Sequence, residues 1–545
     1  MPKNLKLFPT LTFGVFGFIF FHLAKEMLQI RQDGWYVGQV NLYGDLVFHL
    51  GLINKYLVSN KILPESPIYA GSKPNYPIFA DFITAQIAKI TSVDWALFFV
   101  TFSVGLLSIF VARLFIKNFI KNEKVVFLSL LLFFINGGFG FIYFFQDYLK
   151  SNQNFFSFLF NMPRQYTDIK EIGYWWINNY LAYFLPQRAF LFAFPITLVS
   201  LLLLYRGVQN QKTKYFLLAG LLSGILPIVQ AHSLFVLFLL SVPYAIGSVY
   251  LAGDKKTVIK NWLIYAAVTI SLALPLIKSI TTSGDLLGFI KYEPGFTSKE
   301  NILWFWFKNL GLFAPTLLIA IAWIYKKNRH LFFLYLPFLG LFVLANIFIF
   351  QPWAFDNTKI MIYWYFVSCL LVGYFLYDQF FTETLPKKIF ATIVVVVMTL
   401  SGALDLFRTF TPPTNYQIFS NADIEVATAV KNLTSKEALF TTASNHNNPI
   451  PALSGRSTLI GFHGWVWSHG LPFEQRAKDV EEIYMGGERA SQLISQYNVN
   501  YVSIGPEEKK EFKINYNYFS QFPQIYLTNN WVLYDVNNLR SNINR

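Results

Sequence analysis

Apolar residues along this chain gather into runs about as long as a bilayer is thick. Crossing the hydrocarbon core takes about 20 apolar residues. Runs of that kind lie near 5–25, 94–117, 125–145, 188–206, 214–231, 233–252, 260–280, 308–325, 331–350, 361–380 and 388–407. They predict a mostly α, polytopic membrane helical bundle of about eleven transmembrane helices. The first run lacks a small-residue cleavage site and continues into an amphipathic segment, which predicts an uncleaved anchor. The polar stretches between runs alternate in character. Five short ones carry clustered lysine and arginine, such as Arg113, Lys117, Lys121 and Lys124, whereas 26–93, 146–187, 281–307 and 351–360 are the long connections of the other side. Short basic connections face the cytoplasm. The N-terminus is therefore expected inside and, after an odd number of spans, the C-terminal region outside.

The pattern changes at Thr411-Pro412-Pro413-Thr414. Beyond it, shorter periods predict helices at 422–433 and 488–497 and strands at 437–441, 457–461 and 499–504. A hairpin is expected between 524–527 and 531–536 across Thr528-Asn529-Asn530. The chain thus divides into a transmembrane domain over 1–410 and a small extracytoplasmic α/β domain over 411–545. Within the first long connection, 26–93, Leu46, Leu50, Ile53 and Leu57 recur at helical spacing. That stripe predicts a helix lying along the membrane interface.

Composition strengthens this picture. Of 545 residues, 54% are hydrophobic and 14% charged, against about a quarter charged in soluble domains. The net charge of +14 is spread over many short loops, which suits anionic lipid headgroups and argues against nucleic acid as a partner. Cys369 is the single cysteine, so an intrachain disulfide and a thiolate metal site are both excluded.

Ionisable groups at membrane depth are costly and mark function by default. Asp45 and His49 share a helix face at i,i+4 after the first run. Arg188 opens the run at 188–206, His232 occupies a tight outer turn, and Asp356 and Lys359 lie in the connection entering 361–380. All are expected at the outer interface. Each has a plain alternative: a solvated face for Asp45 and His49, an interfacial anchor for Arg188, a turn hydrogen bond for His232, a salt bridge for Asp356 with Lys359. As chemistry, the guanidinium of Arg188 and the ammonium of Lys359 suit a phosphate. Asp45 suits a general base, with His49 orienting it, sharing a proton or joining it at a metal. No cofactor is demanded, and a divalent ion stays open. The C-terminal region adds Arg456 and His463 in a glycine-rich stretch that can offer hydrogen bonds to a sugar. Its histidines match no standard zinc spacing.

Gly44-Asp45-x-x-x-His49, Pro186-Gln187-Arg188, Ala231-His232-Ser233, Pro352-Trp353-x-x-Asp356-Asn357-x-Lys359 and Gly455-Arg456…Gly461-x-His463-Gly464-Trp465 resemble an uncharacterised prokaryotic branch of the C-type membrane glycosyltransferases. That superfamily includes protein mannosyltransferases and aminoarabinose transferases. The first-loop aspartate, the many spans and the exterior C-terminal domain carry the same resemblance. It implies a glycosyltransferase that moves a sugar from a polyprenyl-phosphate donor to a lipid, glycan or protein acceptor at the outer face of the cell membrane, with inversion and with Asp45 as base. The family motif usually has a second acidic residue near that aspartate. His49 stands there instead, so metal use remains open. The competing class is a transporter or flippase of a lipid-linked or anionic substrate, which would place polar groups nearer the midplane.

Overall fold

The structure is a computed structural model describing residues 4–59, 61–282, 290–296, 298–411 and 415–539, with side chains from residue 7. The boundary expected at 411–414 falls mostly outside these residues. The chain forms two compact units. One draws on Met1–Glu26, Thr101–Pro275 and Leu287–Asn415, the other on Met27–Val100, Leu276–Leu286 and Tyr416–Arg545. The first long connection therefore belongs with the C-terminal region in one unit.

Among the described residues, eight helices are long and apolar enough to cross a membrane, or nine if one bent pair is a single span. They match eight of the expected runs, and the chain is a multi-pass membrane protein. The other three runs are interrupted for visible reasons. The run at 308–325 bends by 95° between Ile302–Leu310 and Phe313–Lys327, at Gly311, whose φ of 60° lies in the left-handed region. The run at 214–231 breaks after Gly224, before a short turn of helix, Leu226–Val229, carrying Pro227. The run at 125–145 stops at Phe134. There the chain turns through Asn136-Gly137-Gly138, and a Cβ on Gly138 would overlap the carbonyls of Lys308 and Asn309. Asn178 and Asn179 donate to the carbonyls of Phe134 and Phe133 at 3.1 and 2.6 Å, satisfying carbonyls orphaned at the helix end.

The most enclosed span of this unit is Ala354–Phe381, 89% of whose apolar window is buried. Its hydroxyls are paired: Tyr363 with Ser233 at 2.7 Å, and Ser368 with Tyr335 at 2.9 Å. The second long connection is anchored by Asp405. Its carboxylate accepts the backbone N–H groups of Tyr166 and Thr167 at 2.5 and 2.8 Å.

The other unit holds two sheets. Strands β1 (Gln29–Arg31), β2 (Gly34–Val37) and β3 (Tyr416–Ser420) form an antiparallel ladder in that order, with Trp35 opposite Phe419. The second sheet contains β4 (Leu439–Thr441), β5 (Ser457–Thr458), β6 (Tyr501–Ile504), β7 (Gln524–Leu527) and β8 (Val532–Asp535), ordered β5-β4-β6-β8-β7. β4 runs parallel to β5 and β6, and β8 runs antiparallel to β6 and β7. Helices Asn421–Leu433, Glu474–Met485 and Glu488–Gln496 accompany the sheet.

The helix expected along the interface, Asp45–Val58, is instead part of this unit's core. Its residues Leu46 to Tyr56 are all buried. The helix Phe79–Ala88 packs on it, and Asn54 donates to the Ala452 carbonyl at 3.0 Å. The apolar stripe does not face lipid. It faces protein because the C-terminal region covers the remaining sides.

Candidate functional site

In the helical unit, four singled-out residues come to corresponding ends of three helices. Arg188 is buried and begins the helix Arg188–Asn210. A helix start presents unpaired N–H groups and the positive end of the dipole, so a guanidinium there reinforces a field that attracts an anion. His232 begins the helix Ala231–Leu251 behind an extended Gln230, and its Nε2 hydrogen-bonds Gln351 Oε1. Its Nδ1 is buried with no hydrogen-bond partner among the described residues. Lys359 Nζ lies 2.9 Å from Asp356 in the first turn of Thr358–Leu376. Both of those charges act on His232. Phe190 packs its ring 5.9 Å from that of Tyr363, which ties the turn after Arg188 to the turn after Lys359. The salt-bridge alternative for Asp356 is thus realised.

In the mixed unit, Asp45 is half-buried in the first turn of Asp45–Val58, where the dipole favours a carboxylate. His49 lies one turn further on, but its bonded partner is not Asp45. Its Nδ1 sits 2.9 and 3.1 Å from the two carboxylate oxygens of Asp81, and both side chains are buried. Sequence reasoning missed Asp81. The signal was present, since a lone carboxylate interrupts the apolar stretch Ile78-Phe79-Ala80-Asp81-Phe82. A carboxylate on Nδ1 fixes the orientation and tautomer of the ring, leaving Nε2 as the nitrogen that can exchange a proton. The acidic partner of His49 is thus supplied from another helix, Phe79–Ala88.

His446, after β4, borders Asp45's helix: a Cβ on Gly44 would lie 3.4 Å from its ring. Its ring centroid stands 4.5 Å from that of Phe462 and 6.0 Å from that of Tyr43. Burial pushes its basicity down. Beside it, a crevice of about 360 Å³ is lined by Ser444, Asn445, His446, Phe462, Glu507 and Glu511 among others. These residues follow the carboxyl ends of β4, β5 and β6, the place where open α/β sheets receive ligands.

His463 is half-buried, its ring stacked 5.4 Å from Phe473, and burial lowers its basicity too. Arg456 takes a different part from the one expected. Its guanidinium is buried and donates to the carbonyls of Ser454, Lys431 and Thr434 at 2.8–3.0 Å and to Thr434 Oγ1 at 3.2 Å. It closes the C-terminus of Asn421–Leu433, where orphaned carbonyls attract a cation, and these bonds occupy four of its five N–H donors. Among the described residues, no group of three or more His, Cys, Asp or Glu side chains is placed to hold a metal ion.

No family model and no curated protein sequence matches this chain. Solved structures do. The Archaeoglobus fulgidus oligosaccharyltransferase superposes with a TM-score of 0.55 at 10% identity, covering 91% of this chain and 69% of its own. ArnT from Cupriavidus metallidurans gives 0.51 at 10% identity, covering 98% of this chain and 99% of its own. The arabinofuranosyltransferase AftD from Mycobacteria gives 0.53 at 10% identity, over 91% of this chain and 35% of that one. The chain shares its fold with these three solved structures. At these identities the likeness is one of architecture.

Proposed function

We propose that this chain is an inverting glycosyltransferase that takes a sugar from a polyprenyl-phosphate donor at the outer face of the cell membrane. The reading rests on the way ionisable groups sort within a C-type fold. Cations are buried at span starts in the helical unit, while Asp45 opens a helix in the mixed unit. Arg188 and Lys359 bind the donor phosphate, and His232 and Asp356 shape that site. The acceptor oxygen attacks the anomeric carbon on the face opposite the phosphate. Asp45 takes the hydroxyl proton as the new C–O bond forms. The bond from the anomeric carbon to the phosphate oxygen breaks, and the departing polyprenyl phosphate keeps the electron pair, its charge held by the two cations. His49 is a positioning residue, fixed by Asp81, one turn from the base. The acceptor enters by the crevice at Ser444, His446 and Phe462, with His463 at its edge. Aromatic faces beside amides and carboxylates suit a polyhydroxylated molecule.

Purified protein in proteoliposomes with a polyprenyl-phosphate sugar tests the proposal. Transfer to an acceptor, with donor binding measured separately, is the expected outcome. Binding and translocation without transfer would establish the flippase reading instead. Reporters fused after Asn122 and after Gly470 are expected to report opposite sides of the membrane. Placement on one side would remove the outer-face assignment.

A further inference from the structure

One cavity shares no lining residue with the candidate sites described above. It measures about 500 Å³, within the ~300–1,000 Å³ range of small-ligand sites. Its walls come from the C-terminal ends of Val93–Phe119, Arg188–Asn210 and Ala231–Leu251 and the N-terminal ends of Lys255–Ile280 and Arg329–Ile347. Leu201, Leu240, Pro243, Phe333, Pro337 and Phe338 make it apolar. Its mouth is polar: Tyr205 OH lies 3.2 Å from His330 Nε2, with Gln209 and Gln211 nearby. Arg188 and Tyr205 stand at opposite ends of one helix, 17 positions and so about 26 Å apart at ~1.5 Å per residue. That distance nearly spans the hydrocarbon core, about 30 Å. The cavity therefore belongs to the opposite leaflet from the proposed phosphate ligands.

What fills an apolar slot at a bilayer surface is decided by its rim. The connections bounding the mouth, 206–214, 252–256 and 326–330, hold eight lysines and arginines against one acid, Asp254. Lys327 among them is paired with Asp378 at 3.1 Å. The excess of positive charge favours a negatively charged headgroup. We infer that this cavity is a second lipid site, taking an acyl chain of an anionic glycerophospholipid from the leaflet at the basic end of the spans, with its phosphate on the rim. The site is independent of the donor and is not part of the transfer step.

Delipidated full-length protein in detergent, titrated with phosphatidylglycerol or phosphatidylcholine of identical acyl chains and followed by native mass spectrometry, tests it. Phosphatidylglycerol is expected to bind about tenfold or more tighter. A Cβ on Gly247, which lines the cavity, meets nothing within 4 Å, so Gly247→Phe fills the slot without a clash at the backbone. It should abolish that adduct and leave the melting temperature unchanged. Leu334→Trp, filling from another wall, serves if the first variant does not fold. Combined Arg206→Gln, Lys212→Gln and Arg329→Gln should remove the preference for phosphatidylglycerol while leaving weaker binding of both lipids. Equal binding of the two lipids by the unmodified protein, or survival of the adduct in the filled variants, would overturn the inference. So would displacement of phosphatidylglycerol by polyprenyl phosphate, because the occupant would then be a donor tail.

Discussion

The helical unit and the mixed unit are assembled by different kinds of information. In the first, each span is a contiguous apolar run, and its candidate ligands sit where runs begin: Arg188, His232 and Lys359 each lie in the first turn of a helix. In the second, partners come from far apart in the chain. Trp35 pairs with Phe419, and Lys55 donates to Ser457 across 402 positions at 2.7 Å. The contrast matters for function because the two units carry different parts of the proposed chemistry. Donor phosphate recognition rests on local, helix-start geometry, whereas the base rests on a helix held by long-range packing.

The largest expected effect falls on Asp45. Asp45→Asn keeps shape but accepts no proton, so turnover should fall by about 10²–10⁴-fold while donor binding, assigned to the other unit, stays unchanged. Transfer at the unmodified rate would remove the base. A parallel loss of donor binding would break the division of labour.

Asp81 probes how the mixed unit holds that base. Removing one member of a buried pair typically costs about 3–5 kcal/mol. Asp81→Ala should therefore lower the unit's resistance to proteolysis and its melting temperature, with Arg188 variants showing no comparable loss. His49→Gln in the Asp81→Ala background should recover part of the deficit, since the stranded imidazole is then gone. A fully stable Asp81→Ala protein would show the pair to be incidental.

A smaller effect is expected from the phosphate ligands. Arg188→Ala or Lys359→Ala should weaken donor binding by about 1.5–3 kcal/mol, the scale of a lost charge-assisted hydrogen bond. Lys359→Arg should restore little, because a planar fork does not reproduce a point charge and Asp356 is set at 2.9 Å from the ammonium. Isothermal titration of both variants with donor checks this. Unchanged affinity in both would move the phosphate elsewhere.

Legibility followed the same division. Eight helices long enough to span were readable because span length is fixed by the bilayer, and the hairpin at Gln524–Leu527 and Val532–Asp535 followed from its turn residues. The breaks at Asn136-Gly137-Gly138 and Gly311 were not, since hydropathy averages over a residue whose importance is conformational. Asp45–Val58 showed its helical period but not its cover, because a stripe of leucines is the same facing lipid or protein. Asp81 escaped for a related reason: i,i+4 spacing pointed His49 at Asp45, and a lone carboxylate in an apolar stretch marks itself without showing that its partner lies 32 positions away. Arg456 looked available because a sequence does not show which carbonyls a helix end leaves unpaired.

Lys55 gives the subtlest test of long-range packing in the mixed unit. The residue is 8% exposed, and burial holds its ammonium down at about 8 from an ordinary 10.5, with Arg456 adding repulsion and Glu65 and Glu437 opposing it. A depression of that size is worth about 3 kcal/mol at ~1.4 kcal/mol per pH unit. Below pH 8 the folded and unfolded chains both carry the proton, so the penalty of the buried charge is present in full. Between about 8 and 10.5 the folded protein has released the proton while the unfolded chain retains it. The unfolded state then binds more protons, and stability rises with pH. Lys55→Met removes the charge at similar volume and loses one hydrogen bond to Ser457, about 1 kcal/mol. Ser457 Oγ keeps the Ser66 carbonyl at 3.3 Å. The variant should accordingly be more stable by about 2 kcal/mol at pH 7, with the advantage shrinking steadily toward pH 10. Thermal melts of both proteins in detergent across that range measure it. A difference that did not vary with pH would mean that Lys55 is solvated in the folded protein, and that the far-separated segments pack less tightly around this helix than the buried run Leu46 to Tyr56 implies.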